Sequence, residues 1–201
     1  MQRIFVTGAT GFVGHAVVRA LLAHGFLVRC LVRPGSEAAL KGFESIDRVP
    51  GDVLEPDALA ASVEGCGALV HLVGIIREHR TRGVTFDRLH TQATANMLAV
   101  AHEAGVKRYV QMSAVGTRPG ATSRYHQTKW QAEEVVRASA LDWTIVRPVI
   151  LVGGGATGRY RAGESLALRG LPKISRADVA HFILGEIGAK RFVRKVVALA
   201  D

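Results

Sequence analysis

The chain has 201 residues, 48% of them hydrophobic and 21% charged, with a formal net charge of +9. That length predicts one domain, 1–201, and the balance is that of an ordinary soluble globular protein, which excludes disordered and fibrous classes. No apolar stretch approaches the ~20 residues of a membrane span, and the first strand pattern begins almost at Met1, leaving no room for a leader; a cytoplasmic location is expected. Cys30 and Cys66 lie apart in apolar segments without ligand spacing, so two buried free thiols and no metal site are expected.

In chain order, Ile4 to Thr7 reads as a strand. A helix over Val13–His24 follows, with Val13, Val17 and Leu21 on one stripe and Gly25 at its stop position. Leu27–Val32 is a second strand ended by Pro34-Gly35. Ser36–Lys41 is a short helix, and Asp47–Pro50 leads through Gly51 and Asp52 to Val53 as a third strand and its exit. A helix over Glu55–Val63, a strand over Ala68–Leu72 and a long helix over Thr85–Ala104 come next. They are followed by a strand over Arg108–Met112, a helix over Ser123–Ser139 and a strand over Trp143–Arg147. The glycine-rich stretch 153–170 reads as loop or short irregular structure over the cleft, within a substrate-side region at 150–172. Ser175 caps a helix running through Val179–Ile187, and Phe192–Ala200 is a last strand. Continuous apolar strands alternating with helices predict α/β architecture: a single doubly wound parallel sheet with helices on both faces.

The segment from Gly8 to Gly14 joins the first strand to the first helix. Its glycines, Gly8, Gly11 and Gly14, are spaced Gly-x-x-Gly-x-x-Gly. Unpaired N–H groups at such a helix start attract a pyrophosphate, and small residues let it approach. Gly8, Thr10, Gly11, Phe12, Val13 and Gly14 are therefore candidate cofactor residues. An NAD site carries an acid ~20 positions beyond the fingerprint; here Arg33 follows the second strand, and a guanidinium binds a 2′-phosphate that a carboxylate repels. NADP(H) is the expected cofactor, with NAD(H) second. Asp52 and Val53 stand where adenine is expected, and Leu72, Val73 and Gly74 leave the fourth strand toward the same crevice.

Tyr125 and Lys129 are i and i+4 on one helix face. A nearby ammonium would bring a phenol down from its ordinary pKa of about 10, while an aromatic resting on a helix beside an exposed lysine is the plainer alternative. The fingerprint and Tyr-x-x-x-Lys together resemble the short-chain dehydrogenase/reductase family in its extended and atypical forms. That resemblance implies a Rossmann fold and an oxidoreductase that moves a hydride to a carbonyl or quinone-like acceptor. It implies Tyr125 as proton donor, Lys129 on the ribose, and Met112, Pro148 and Val149 beside the nicotinamide. Ser113 either orients the acceptor or is a turn residue; Ala114 stands where many members carry the hydroxyl. His90 stands where members commonly carry asparagine.

Segments at 30–36, 71–78, 123–132 and 141–148 resemble bacterial relatives of the NADPH-binding accessory subunit of respiratory complex I. The ending Ile174-Ser175-Arg176-Ala177-Asp178-Val179-Ala180 resembles compact NmrA-like and flavin or biliverdin reductase-like proteins. An alternative therefore stands beside the enzyme: a redox sensor, or a structural subunit of a respiratory assembly, that binds NADPH without turnover. The small-molecule substrate is unidentified. The dispersed charge argues against nucleic acid, the basic stretch from Arg77 to Arg82 is a solvated loop or a phosphate or partner patch, peripheral association with a membrane or respiratory complex stays open, and the chain is a monomer or a homodimer. Aromatic content of 6% leaves Phe12, Trp130, Trp143 and Tyr160 for stacking a planar ligand.

Overall fold

The computed structural model describes residues 1–201, the side chain of Ala58 apart. Ten strands and five α-helices follow one another: β1 Arg3–Thr7, α1 Gly14–Ala23, β2 Leu27–Val32, β3 Asp47–Pro50, the single turn α2 Ala60–Val63, β4 Ala68–His71, α3 Ala93–Glu103 and β5 Arg108–Met112. Then come α4 Arg124–Ala138, β6 Asp142–Pro148, β7 Ile150–Val152, β8 Arg161–Gly163, β9 Lys173–Ser175, α5 Arg176–Ala189 and β10 Lys195–Ala200. The main sheet runs β3-β2-β1-β4-β5-β6-β10-β8. All of its neighbours pair in parallel except β8, which is antiparallel to β10. The expected doubly wound sheet is thus the architecture found.

Alternation along each strand feeds two layers. Ile4 and Val6 join Cys30 and Val146 in a core closed by Val17 and Leu21 of α1 and Ile183 of α5. Phe5 joins Leu69, Tyr109 and Ile145 in the opposite core, closed by Val63 of α2, Met97 of α3 and Val136 of α4. The chain order reverses between β1 and β4, where Thr7 stands beside His71. At such a switch point the loops leaving neighbouring strands diverge to opposite faces and open a crevice. Both cysteines are buried and free, and burial pushes the Cys30 thiol up to about 12. Among the described residues no helix is long and apolar enough to cross a membrane.

The structure differs from the sequence expectation in four local places. The long helix expected over 85–104 begins as a π-helical stretch, Asp87–Gln92, before α3; the widened turn brings Leu89 and His90 inside, as such insertions do near functional sites. The helix expected over Glu55–Val63 breaks at Leu59 into a 3₁₀ turn and α2. The stretch 153–170, read as loop or short irregular structure over the cleft, holds one short strand, β8, paired with β10, while β7 just before it pairs with β9 just after it. Asp178 anchors the intervening chain by accepting from the backbone of Thr157 at 2.8 Å and of Gly158 at 2.9 Å. The last strand starts at Lys195, because Lys190 and Arg194 adopt positive φ and turn the chain first.

Candidate functional site

A cleft of about 270 Å³ opens at the switch point. Gly8, Thr10, Gly11, Arg33, Asp52, Val53, Leu72, Val73 and Gly74, all expected from the sequence, line it. Leu31, Ile75, Val84 and Leu89 line it as well. The sequence hinted at one of these: Val84 is the lone apolar residue at the end of the basic stretch, and a bridge between His79 and Val84 folds it back toward the cleft. No residue of 150–172 reaches this wall.

The glycine turn fits a pyrophosphate on geometric grounds. Gly8 has φ +74, and a Cβ there would stand 2.9 Å from the Leu72 carbonyl carbon. A Cβ on Gly14 would run into Gly8 O and lie 2.6 Å from Ala9 O. These contacts bring α1 against the loop with no side chain intervening. No side chain caps α1 at Val13; His15 N–H bonds Gly11 O at 3.2 Å, and the remaining N–H groups of the first turn are left to an anionic ligand. Gly11 N–H instead closes the turn onto Gly8 O at 3.0 Å. Phe12 is 49% exposed, and the Arg176 guanidinium lies over its ring at 4.5 Å. Asp52 accepts from Leu54 N–H at 2.9 Å, which holds the β3 exit in a turn.

Ser123 accepts from His126 N–H and caps α4, which carries Tyr125 and Lys129. Lys129 is 3% exposed and donates to Met112 O at 3.1 Å. A Cβ on Gly74 would stand 2.9 Å from its Nζ, so the ammonium lies against the wall of the cleft. Burial, partly offset by Glu133, brings Lys129 down to about 8. The effect expected of Lys129 on Tyr125 is absent: burial pushes the phenol above its ordinary value. Tyr125 rests edge-on against His90 at 5.2 Å, with Phe86 and His126 completing an aromatic cage. His90 is held on both sides, Nδ1 to Thr128 Oγ1 at 2.9 Å and Nε2 to the Ile75 backbone. Burial brings it down to about 3, so it is neutral.

Ser113 is placed differently. Its hydroxyl donates to Glu133 Oε1 at 2.6 Å, and that fully buried carboxylate also takes a two-pronged contact from Arg147 at 2.8 and 2.6 Å and one from Arg137 at 2.6 Å. Ser113 therefore ties the β5 exit to α4 and β6. Pro148 O accepts from Val115 N–H, and Val149 N–H donates to Leu199 O; both residues are buried at the end of β6. Among the other aromatics, Trp143 is buried, Trp130 lies under Arg137 and Tyr160 bonds His181.

Sheet order, glycine turn and switch-point cleft define a doubly wound nucleotide-binding protein. The chain matches the NAD(P)H-binding family over residues 8–189, and it belongs to that family. It is 32% identical over 182 residues to a ceramide reductase of Caulobacter vibrioides, covering 89% of this chain and 56% of that one. It is 32% identical over 155 residues to subunit 9 of the NADH dehydrogenase [ubiquinone] 1 alpha subcomplex of Arabidopsis thaliana, covering 74% of this chain and 38% of that one. The chain thus spans about half or less of the length of these relatives. A short-chain dehydrogenase/reductase of Veillonella parvula, solved in complex with NADP, shares its fold with a TM-score of 0.79 at 17% identity, over 100% of this chain and 94% of that one.

Proposed function

We propose that the protein is an NADPH-dependent reductase acting on a carbonyl or quinone-like acceptor, with Tyr125 as proton donor. The observation that carries this reading is the position of Lys129: one helix face bears the lysine and Tyr125, and the ammonium abuts Gly74 in the wall of the nucleotide cleft. When bound, the reduced dinucleotide would supply the hydride; the protein supplies position and the proton. Gly8, Gly11 and the uncapped start of α1 would hold the pyrophosphate, with Phe12, Val13 and Gly14 shaping the turn. Lys129 retains donor capacity beyond Met112 O for a ribose hydroxyl. Tyr125, raised by burial, stays a phenol at neutral pH, the form a reductase needs in order to give a proton to an alkoxide. Met112, Pro148 and Val149 would border the acceptor end.

Arg33 lines the cleft at the β2 exit and makes no ion pair among the described residues, which supports a 2′-phosphate and hence NADPH over NADH. Calorimetric titration of both nucleotides against wild type and Arg33→Ala tests this. NADPH should bind wild type at least about tenfold more tightly than NADH, and the variant should lose most of that margin. Equal affinities in wild type would remove the assignment.

One observation favours a second reading, in which NADPH is bound without turnover by a sensor or an assembly subunit: the hydroxyl that would orient an acceptor is committed to Glu133. Tight NADPH binding with no oxidation across a panel of carbonyls and quinones would favour it.

A further inference from the structure

A second cleft, of about 510 Å³, lies between α1, α5 and the loop at 154–156. It shares no lining residue with the nucleotide cleft. Five basic-type side chains line it, His15, Arg19, His24, Arg176 and His181, and no carboxylate does. Two of them are pre-positioned without an ionic partner. Arg19 lies over the Phe43 ring at 5.5 Å and Arg176 over Phe12 at 4.5 Å, and neither guanidinium takes part in a salt bridge among the described residues. Stacking fixes the planes of both groups while leaving their N–H edges free.

His15 lines the cleft with its ring held edge-on against Phe43 at 5.7 Å. A further feature points the same way. The cleft also contains the first residues of α5, Arg176 and Ala177. The Ser175 cap accepts only from Asp178 N–H in that turn, so the helix presents the positive end of its dipole at the same place. Asp178, the acid nearest this end, points away: its carboxylate accepts from Thr157, Gly158 and Ser175. The remaining wall is apolar, from Ala16, Ala20 and Leu184.

We infer that this cleft is a second ligand site, for a small organic anion whose phosphate or carboxylate head sits between Arg19 and Arg176 and whose apolar body lies along α1. The cleft is larger than a bare phosphate requires, and its alanine wall suits the uncharged remainder of such a ligand. A ligand there would bear on α1 and on Arg176, whose guanidinium stacks on Phe12 of the glycine turn, without entering the nucleotide cleft.

The test is calorimetric titration of the NADPH-saturated protein, at constant ionic strength, with inorganic pyrophosphate and, separately, with citrate. Binding of at least one probe is expected, and the tighter of the two identifies the head group. Arg19→Ala should weaken it about tenfold while leaving NADPH affinity unchanged, and Arg19→Ala with Arg176→Gln should abolish it. No heat from either probe, or equal heat from wild type and the double variant, overturns the inference. Probe binding that disappears once NADPH is present assigns the anion to the nucleotide cleft and overturns it too. Should NADPH itself fail to bind, the functional reading falls, and the same comparison of wild type with the double variant, run on the free protein, still decides this site.

Discussion

Gly74 and Lys129 share one volume: a Cβ on the glycine would stand 2.9 Å from the lysine Nζ. The obstructing atom is the far end of a flexible side chain, so Gly74→Ala should move the ammonium without disturbing the sheet. The expected result is a loss of NADPH affinity of about tenfold or more, the scale of a charge-assisted hydrogen bond, with little change in Tm. Titration calorimetry and a thermal melt on the same sample check both halves. Unchanged affinity would separate Lys129 from the ribose.

Gly14→Ala should behave in the opposite way. Its Cβ meets backbone, Gly8 O and Ala9 O, which has no rotamer to escape into. We expect destabilisation of several kcal/mol, on the order of 3 or more as for overpacking against a fixed frame, together with loss of nucleotide binding. Chemical denaturation measures the first and titration the second.

Tyr125→Phe should abolish reduction of any acceptor found while leaving NADPH affinity within about twofold, because under the proposed function the phenol serves the acceptor and not the nucleotide phosphates. Ser113→Ala is the contrasting variant. Its hydroxyl serves Glu133, so kcat should persist while stability falls by about 1 kcal/mol. A collapse of kcat in Ser113→Ala with unaltered stability would restore an acceptor role to the serine. Glu133→Ala leaves Arg147 and Arg137 without their shared carboxylate and should cost about 3–5 kcal/mol.

Lys129 titrates at about 8 in the folded protein, down from 10.5. Its ammonium is therefore lost as pH rises through that value, later once an anionic ligand holds the proton. NADPH affinity should fall between pH 7 and 9, and Lys129→Met should flatten the profile. Between 8 and 10.5 the unfolded chain binds more protons than the native one, so this group makes stability rise with pH there. A pH-independent affinity in wild type would show the ammonium to be uninvolved.

Acid acts through two histidines. Burial, with Lys129 nearby, brings His71 down from 6.5 to about 3, and His90 moves likewise. Both are neutral in the native state, while the unfolded chain takes up protons as pH falls below 6.5. The contribution to stability is therefore constant above that value and declines from 6.5 toward 3. At pH 5 each costs about 2 kcal/mol relative to neutrality. Urea unfolding at pH 7 and pH 5 measures this, and His90→Gln should remove roughly half of the difference.

Much of the fold was legible because its signals are local. β2 and β5 coincide with the expected Leu27–Val32 and Arg108–Met112, since each is a short, mostly apolar run rich in β-formers and bounded by turn residues. The glycine turn was legible because its residues adjoin in sequence. What was hidden depends on distant partners. Nothing around Ser113 announces Glu133, twenty positions on. β7, β8 and β9 are three residues each, too short for periodicity, and exist because other strands accept their backbone groups. The fall of Tyr125 expected from Lys129 did not materialise because i, i+4 spacing sets a shared face and not the direction of an ammonium, which here turns to Met112 O.

The main sheet ends in two strands that resist company. β3 is four residues long and mostly solvent-facing, with Asp47 paired to Arg29 and Pro50 lacking an N–H; β8 is three residues containing Gly163, and it runs antiparallel to β10, its one neighbour in that sheet. Neither rim offers the long, flat ladder on which another molecule could template itself. If copies of this protein pair in solution, they must do so flank to flank through helices, and crowding should leave them dispersed rather than knitted into fibres.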